Sequence, residues 1–213
     1  MTASRLAALT TMLASSPFRA RRRDLRSHLD VLEAAFAATT IVPCAFGTVL
    51  PTHTAVQDEL LEARGDELLA LLEHLDGRAQ LNVKVGYEEE AVLRELVASD
   101  PEIARLNERT RGVPGAYAER VRLGDLIASA LAARRSRDAE QVVDAVAAIA
   151  DDVRADRAEL PVVLKASFLI RRERLDRFHA ALEQLAAERA TTMRFESVGP
   201  LPPTAFASLE PVE

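Results

Sequence analysis

The chain has 213 residues, enough for one large domain or two small ones, and 48% of them are hydrophobic while only 4% are aromatic, so its core must be built from Leu, Val, Ile and Ala. A net charge of −6 speaks against a general nucleic-acid binder, which needs a basic face to meet phosphates. The single cysteine, Cys44, excludes an internal disulfide and a cysteine-based zinc site.

Leu6 to Ala14 is weakly apolar and broken by Thr10 and Thr11, which is not the pattern of a signal peptide. No stretch approaches the ~18 consecutive apolar residues of a membrane helix, so the reading is a soluble cytoplasmic protein with no membrane partner. A basic cluster follows, made of Arg19, Arg21, Arg22, Arg23 and Arg26. Asp24 to Ala38 is predicted helical, with Asp24 as its cap and Leu25, Leu29, Leu32 and Phe36 at helical spacing on one face. Ile41 to Leu50, reading IVPCAFGTVL, is predicted as an unusual strand. It carries Pro43 and Gly47, which do not suit a central strand, and Cys44 as a small buried hydrophobe. Thr54 and Gln57 form a capping-box pattern opening a helix to about Leu75, interrupted by Gly65 and ended by Gly77.

Arg78 to Val85 alternates cleanly. Ala79, Leu81, Val83 and Val85 share one face, and Arg78, Gln80, Asn82 and Lys84 share the other, as in a strand covered on one side. Glu88 to Asn107 is predicted helical with a break at Asp100-Pro101, and Gly112 to Gly115 is a loop. Two helices, Tyr117 to Arg135 and Asp138 to Arg157, are predicted as an antiparallel hairpin because their connection is short. Pro161 to Arg171 is a strand, and Arg172 to Ala190 is a helix with Leu175, Phe178, Leu182 and Leu185 inward. Thr192 to Val198 is the last strand. From Ile41 onward the order is β-α-β, then helices, then β-α-β, the split pattern of a ferredoxin-like fold with a helical insertion.

No residue set supports catalysis. His28, His53, His74 and His179 are scattered, with no pair at metal-ligand spacing. Glu88, Glu89 and Glu90 open a helix, where carboxylates suit the dipole, and that account is sufficient. Gly112 and Gly115 lack the lysine and hydroxyl residue of a phosphate loop, no GxSxG elbow is present, and Ser167 lies inside a strand in a structural role. No cofactor, metal or catalytic residue is therefore assigned. Two candidate binding segments stand out. The arginine cluster sits at a helix start, where the dipole disfavours positive charge; it reads as a docking patch for an acidic partner segment or as a solvated run before the helix. The segment Gly199 to Phe206, with Pro200, Leu201, Pro202, Pro203 and Phe206, holds an extended backbone with little entropy left to lose. It can dock on a partner, or on its own protein with Leu201 and Phe206 as anchors.

Several segments together resemble the gas vesicle proteins of the GvpF/GvpL family. Ile41 to Leu50 is similar to the family's "VLPLRFGTV" strand, and Gly199 to Phe206 to its "GPLPPYSF" end. Arg22-Arg23-Asp24-Leu25 with His28 and Val31-Leu32-Glu33 resembles its first helix. Leu75-Asp76-Gly77 with Leu81 to Val85, and Ala166 to Ile170, resemble two of its strands. The likeness spans roughly residues 5 to 206. Cys44-Ala45 replaces the family's leucine and arginine, and Thr204-Ala205 its tyrosine and serine, so the resemblance carries no role over to those positions.

The resemblance implies an α+β protein of two mixed domains. These are an amino-terminal domain, residues 1–76, expected to lack the family's leading strand, and a ferredoxin-like domain with inserted helices, residues 77–198. A Pro-rich tail, residues 199–213, follows. It also implies a non-enzymatic accessory or minor shell-associated protein of gas vesicle assembly in the cytoplasm. Its partners would be the small hydrophobic shell protein and other gas vesicle accessory proteins. The alternative is a ferredoxin-like RNA-binding or small-ligand-binding module. For RNA, the strands offer only Phe168 as a stacking aromatic.

Overall fold

The computed structural model describes residues 2–3, 6–13 and 20–207. Two compact units divide the chain: one runs to Gln80 and resumes at Gly199, and the other comprises Leu81–Val198.

In the first unit, β1 (Thr2–Ala3) pairs antiparallel with β2 (Leu6–Ala7), Ala3 opposite Leu6. Helix α1 spans Arg22–Ala38 and starts two residues before the expected cap. Arg21 is the N-cap; Asp24 lies one turn in and accepts the Arg21 backbone N–H at 3.0 Å. The carboxylate thus satisfies a free amide and offsets the arginines around it. Thr40 donates to the Asp76 carboxylate at 2.5 Å, tying the exit of α1 to the end of a later helix.

Ile41 to Leu50 is not a strand. Pro43 has no N–H to give a ladder, and Gly47, at φ +94°, closes a turn in which Thr48 returns to the Ala45 carbonyl through both its amide (3.1 Å) and its hydroxyl (2.8 Å). The turn inverts the inside–outside assignment: Pro43 is buried and Cys44 is exposed, against the expectation of a buried thiol. Helix α2 (His53–Ala55) is capped by Thr52, not Thr54, whose hydroxyl accepts the Ala55 N–H at 2.9 Å. Gln57 bonds Glu62 instead of reaching back to the cap. The helix widens to a π turn at Val56–Glu62 and breaks before α3 (Gly65–Leu75), close to where Gly65 suggests a bend. Gly77, at φ +66°, releases the chain into β3. Leu6, Leu61 and Leu68 form a small core, with Val42, Leu60, Leu69 and Leu72 packed on it.

The second unit is built on a four-stranded antiparallel sheet in the order β4-β5-β3-β6, where β3 is Arg78–Tyr87, β4 Asp152–Ala155, β5 Val162–Arg171 and β6 Met193–Leu201. The first three residues of β3, Arg78 to Gln80, and the last three of β6, Gly199 to Leu201, belong to the first unit. The alternation predicted for β3 holds: Leu81, Val83, Val85 and Tyr87 are buried with Leu164, Ala166, Phe168 and Ile170 of β5. Against that face lie Val92 of α4 (Glu89–Ser99), Val142 and Val146 of α6 (Tyr117–Ala147), and Phe178 and Leu182 of α7 (Leu175–Glu188). The Phe168 and Phe178 rings meet at 5.1 Å between centroids, tilted by 56°. Between α4 and α5 (Pro101–Thr110), the Asp100 carboxylate caps Glu102 and Ile103, with Pro101 in the first helical position.

The expected helical hairpin is absent. Tyr117–Ala147 is one helix of 31 residues, and Asp152–Ala155, assigned to the second helix by periodicity, is the edge strand β4, pairing Asp152 with Leu169 and Ala155 with Ala166. The segment Arg135 to Asp138 contains no glycine or proline to stop a helix. Asp138, expected as the first residue of the second helix, is buried on the same stripe as Val142 and Val146.

Candidate interaction surface

Helix α1 carries the clearest anomaly. None of its residues is buried. Its apolar stripe divides: Leu32 and Phe36 are half-buried, while Leu25 and Leu29, one turn apart, are 40% and 46% exposed. Val31 is exposed as well. The flank of the stripe away from Arg22 and Arg26 is anchored by His28, whose ring meets Phe46 of the Gly47 turn at 5.5 Å between centroids. The helix is therefore held in place while leaving part of its apolar stripe to solvent.

Arg22 and Arg26, four residues apart, border Leu25 and Leu29 on the helical wheel and are exposed. Among the described residues neither pairs with a carboxylate. Arg21 is exposed at the N-cap, and Arg23 reaches only its neighbour Asp24, at 3.4 Å, a surface pair of little energetic weight. Arg19 lies outside the described residues. The cluster and the leucines form one surface that is apolar along its axis and cationic on its flank. Spacing alone marked the stripe; it did not reveal that half the stripe is uncovered.

The carboxy-terminal segment is arranged differently. Pro200 is exposed and Leu201 half-buried, both within β6, while Pro202, Pro203 and Phe206 are buried. A short helical turn, Thr204–Phe206, closes it, and Gln80, buried in β3, accepts the Ala205 N–H at 2.9 Å. Gln80 was read as one of the polar, outward residues of its strand; burial is compensated by this bond.

The second unit holds a polar network that sequence reasoning missed. The Tyr87 hydroxyl donates to Asp138 at 2.6 Å, Arg189 reaches Asp138 at 3.2 Å and Arg134 at 3.4 Å. Arg134 also pairs with Glu95 at 2.7 Å and lies 5.9 Å from the Tyr87 ring centroid. Burial, then the bond to Asp138, pushes the Tyr87 phenol above its ordinary range. The arrangement locks β3, α4, α6 and the end of α7 together. A signal existed: Asp138 stands four residues before Val142 and eight before Val146 on a buried stripe.

In this network the Tyr87 hydroxyl is a hydrogen-bond donor and the Asp138 carboxylate is held by two arginines, the arrangement of a structural link between elements. Among the described residues no group of His, Cys, Asp and Glu converges to hold a metal ion. A small pocket of about 110 Å³ lies nearby, lined mostly by apolar side chains, among them Tyr87, Val92, Leu93 and Leu131, with Glu89 at its side. The sheet face away from the helices carries Asn82 hydrogen-bonded to Ser167 (2.9 Å), Lys84 beside Glu196 (3.6 Å) and Lys165 beside Asp156 (3.1 Å). Phe168 is fully buried and has no face free to stack a base.

Comparison with known proteins gives a consistent result. Residues 1–208 match the family described as gas vesicle synthesis protein GvpL/GvpF. The chain is 35% identical over 202 residues to gas vesicle protein F of Streptomyces sp. (strain CB03234), covering 93% of this chain and 84% of that protein. It is 29% identical over 169 residues to gas vesicle protein F of Nostoc sp. (strain PCC 7120), covering 78% and 69%. The crystal structure of GvpF from Anabaena sp. PCC7120 superposes with a TM-score of 0.82 at 26% identity, over 93% of this chain and 82% of that one.

Proposed function

The chain belongs to the gas vesicle synthesis protein GvpL/GvpF family, and from that premise we propose that it is a non-enzymatic assembly protein that binds the small hydrophobic shell protein through helix α1. The observation that carries this reading is the exposure of Leu25 and Leu29 beside Arg22 and Arg26 on a helix with no buried residue. On this reading shell subunits bury apolar surface in the wall and would aggregate if left free. A helix that offers an apolar stripe can cover part of that surface until the subunit reaches the growing wall. The flanking arginines select segments that place carboxylates beside their apolar residues, and they disfavour basic ones.

On this reading the second unit is a rigid body of its own, held by its hydrophobic core and the Asp138 network. We read its sheet as ferredoxin-like, because a β3-helices-β4-β5-α7-β6 order in a sheet arranged β4-β5-β3-β6 is the split βαβ pattern. Other gas vesicle accessory proteins are expected partners, with the cytoplasm and the vesicle surface as the site of action.

Co-expression with the shell protein of the same genome, followed by affinity capture of this chain, tests the proposal. A soluble complex is expected with the native chain, and its loss with Leu25→Asp/Leu29→Asp. Arg22→Glu/Arg26→Glu should weaken capture and increase its sensitivity to salt. Capture unaffected by the leucine pair would rule α1 out as the binding surface.

A further inference from the structure

The outer edge of β6 carries a self-complementary charge pattern, and we infer that it pairs antiparallel with β6 of a second copy of this chain, joining two sheets into one of eight strands. β6 ends the strand order, and no further strand lies beyond it among the described residues. It is nine residues long, and from Arg194 to Pro200 only Phe195 is even half-buried. Natural edges are usually kept from pairing by lysines, prolines, bulges or brevity. From Met193 to Val198 this edge has no lysine and no proline; Pro200 limits pairing only at the far end.

The register follows from charge. With Phe195 opposite its own copy at the twofold axis, Arg194 of each strand faces Glu196 of the other, and Met193 faces Ser197. All of these lie before Gly199-Pro200. Directly opposed residues in an antiparallel pair bring Cβ atoms to about 5 Å, close enough for both Arg–Glu pairs and for the two aromatic rings. The pattern continues into each sheet. Glu196 already pairs with Lys84 at 3.6 Å, and Arg194 with Glu88 at 2.5 Å. Across the junction the charges run Lys84, Glu196, then the second copy's Arg194 and Glu88, alternating in sign without a like-charge contact. A one-residue slip would place Arg194 opposite Phe195 or Ser197 and lose both pairs, so the pattern sets one register. The interface is isologous and closes at two copies.

Sedimentation velocity on the full chain, from micromolar to submillimolar concentration, tests the inference. The native protein should pass from monomer to dimer. Arg194→Glu and Glu196→Arg should each weaken dimerisation at least about tenfold, since each turns two attractive pairs into repulsive ones. The double variant Arg194→Glu/Glu196→Arg restores opposite charges across the interface while setting like charges beside Lys84 and Glu88, so it should dimerise again, less tightly than the native chain but more tightly than either single variant, which also separates a lost interface from a lost fold. A native chain that stays monomeric throughout overturns the inference. So does a dimer indifferent to both single reversals, or one abolished by Leu29→Asp, which would assign self-association to α1.

Discussion

Tyr87 and Asp138 are separated by 51 positions in the chain and joined by a 2.6 Å hydrogen bond in the folded unit. Asp138 is only 8% exposed, and its charge is acceptable there because Arg134 and Arg189 lie against it. Asp138→Asn should therefore destabilise the protein by about 2 kcal/mol, less than the loss of a fully buried pair because both arginines retain other partners and some solvent. The urea midpoint should fall with an unchanged m-value.

The same bond predicts a pH effect. In the unfolded chain the Tyr87 phenol ionises near pH ~10; in the folded chain burial and Asp138 hold it protonated above that. The folded state then binds more protons, so stability is fully present below about pH 10 and declines as pH rises beyond it. Thermal unfolding between neutral and strongly alkaline pH should display that decline, and Tyr87→Phe should flatten it.

Phe178 is fully buried against Phe168 at the centre of the second unit. Phe178→Ala should cost about 4 kcal/mol, because the aliphatic neighbours cannot collapse into the space left by a ring. Phe178→Leu should cost clearly less in the same denaturation experiment.

Gln80 supplies the acceptor for the Ala205 amide. Gln80→Leu leaves that N–H without its partner, and hydrogen exchange at Ala205 should accelerate by about tenfold, as expected for ~1–2 kcal/mol of lost protection. Exchange at the β5 amides should stay as it was.

Leu29→Asp should alter unfolding free energy by no more than about 0.5 kcal/mol, since an exposed leucine contributes little to the fold. A large loss would mean that α1 is needed for packing rather than for a partner.

Alternation by twos in Arg78–Val85, the helix break at Asp100-Pro101 and the inward stripe of α7 were legible in the sequence. Each depends on contacts within a few residues: a pleat, a side-chain cap, a helical period. The same local rules misread Ile41–Leu50, where Gly47 supports a turn, and Asp138, where a helix-start residue serves a buried network. In both cases the deciding partner lies elsewhere in space, or the backbone takes a conformation that hydrophobic pattern does not encode.

The sequence by itself determined the family, through the order and spacing of short segments along nearly the whole chain; its composition pointed to an aliphatic core, which the structure completes with the buried rings of Phe168 and Phe178. Only the tertiary structure decided which apolar residues are covered. Leu25 and Leu29 share a helical stripe with Leu32 and Phe36, yet only Leu32 and Phe36 are half-buried while the other two are exposed. Periodicity reports the direction in which a side chain points, whereas burial depends on whether another element arrives there. The same reason hid the four-stranded order and the place of β6 at its end: strand pairing is a long-range choice, and each strand's own residues are compatible with several neighbours.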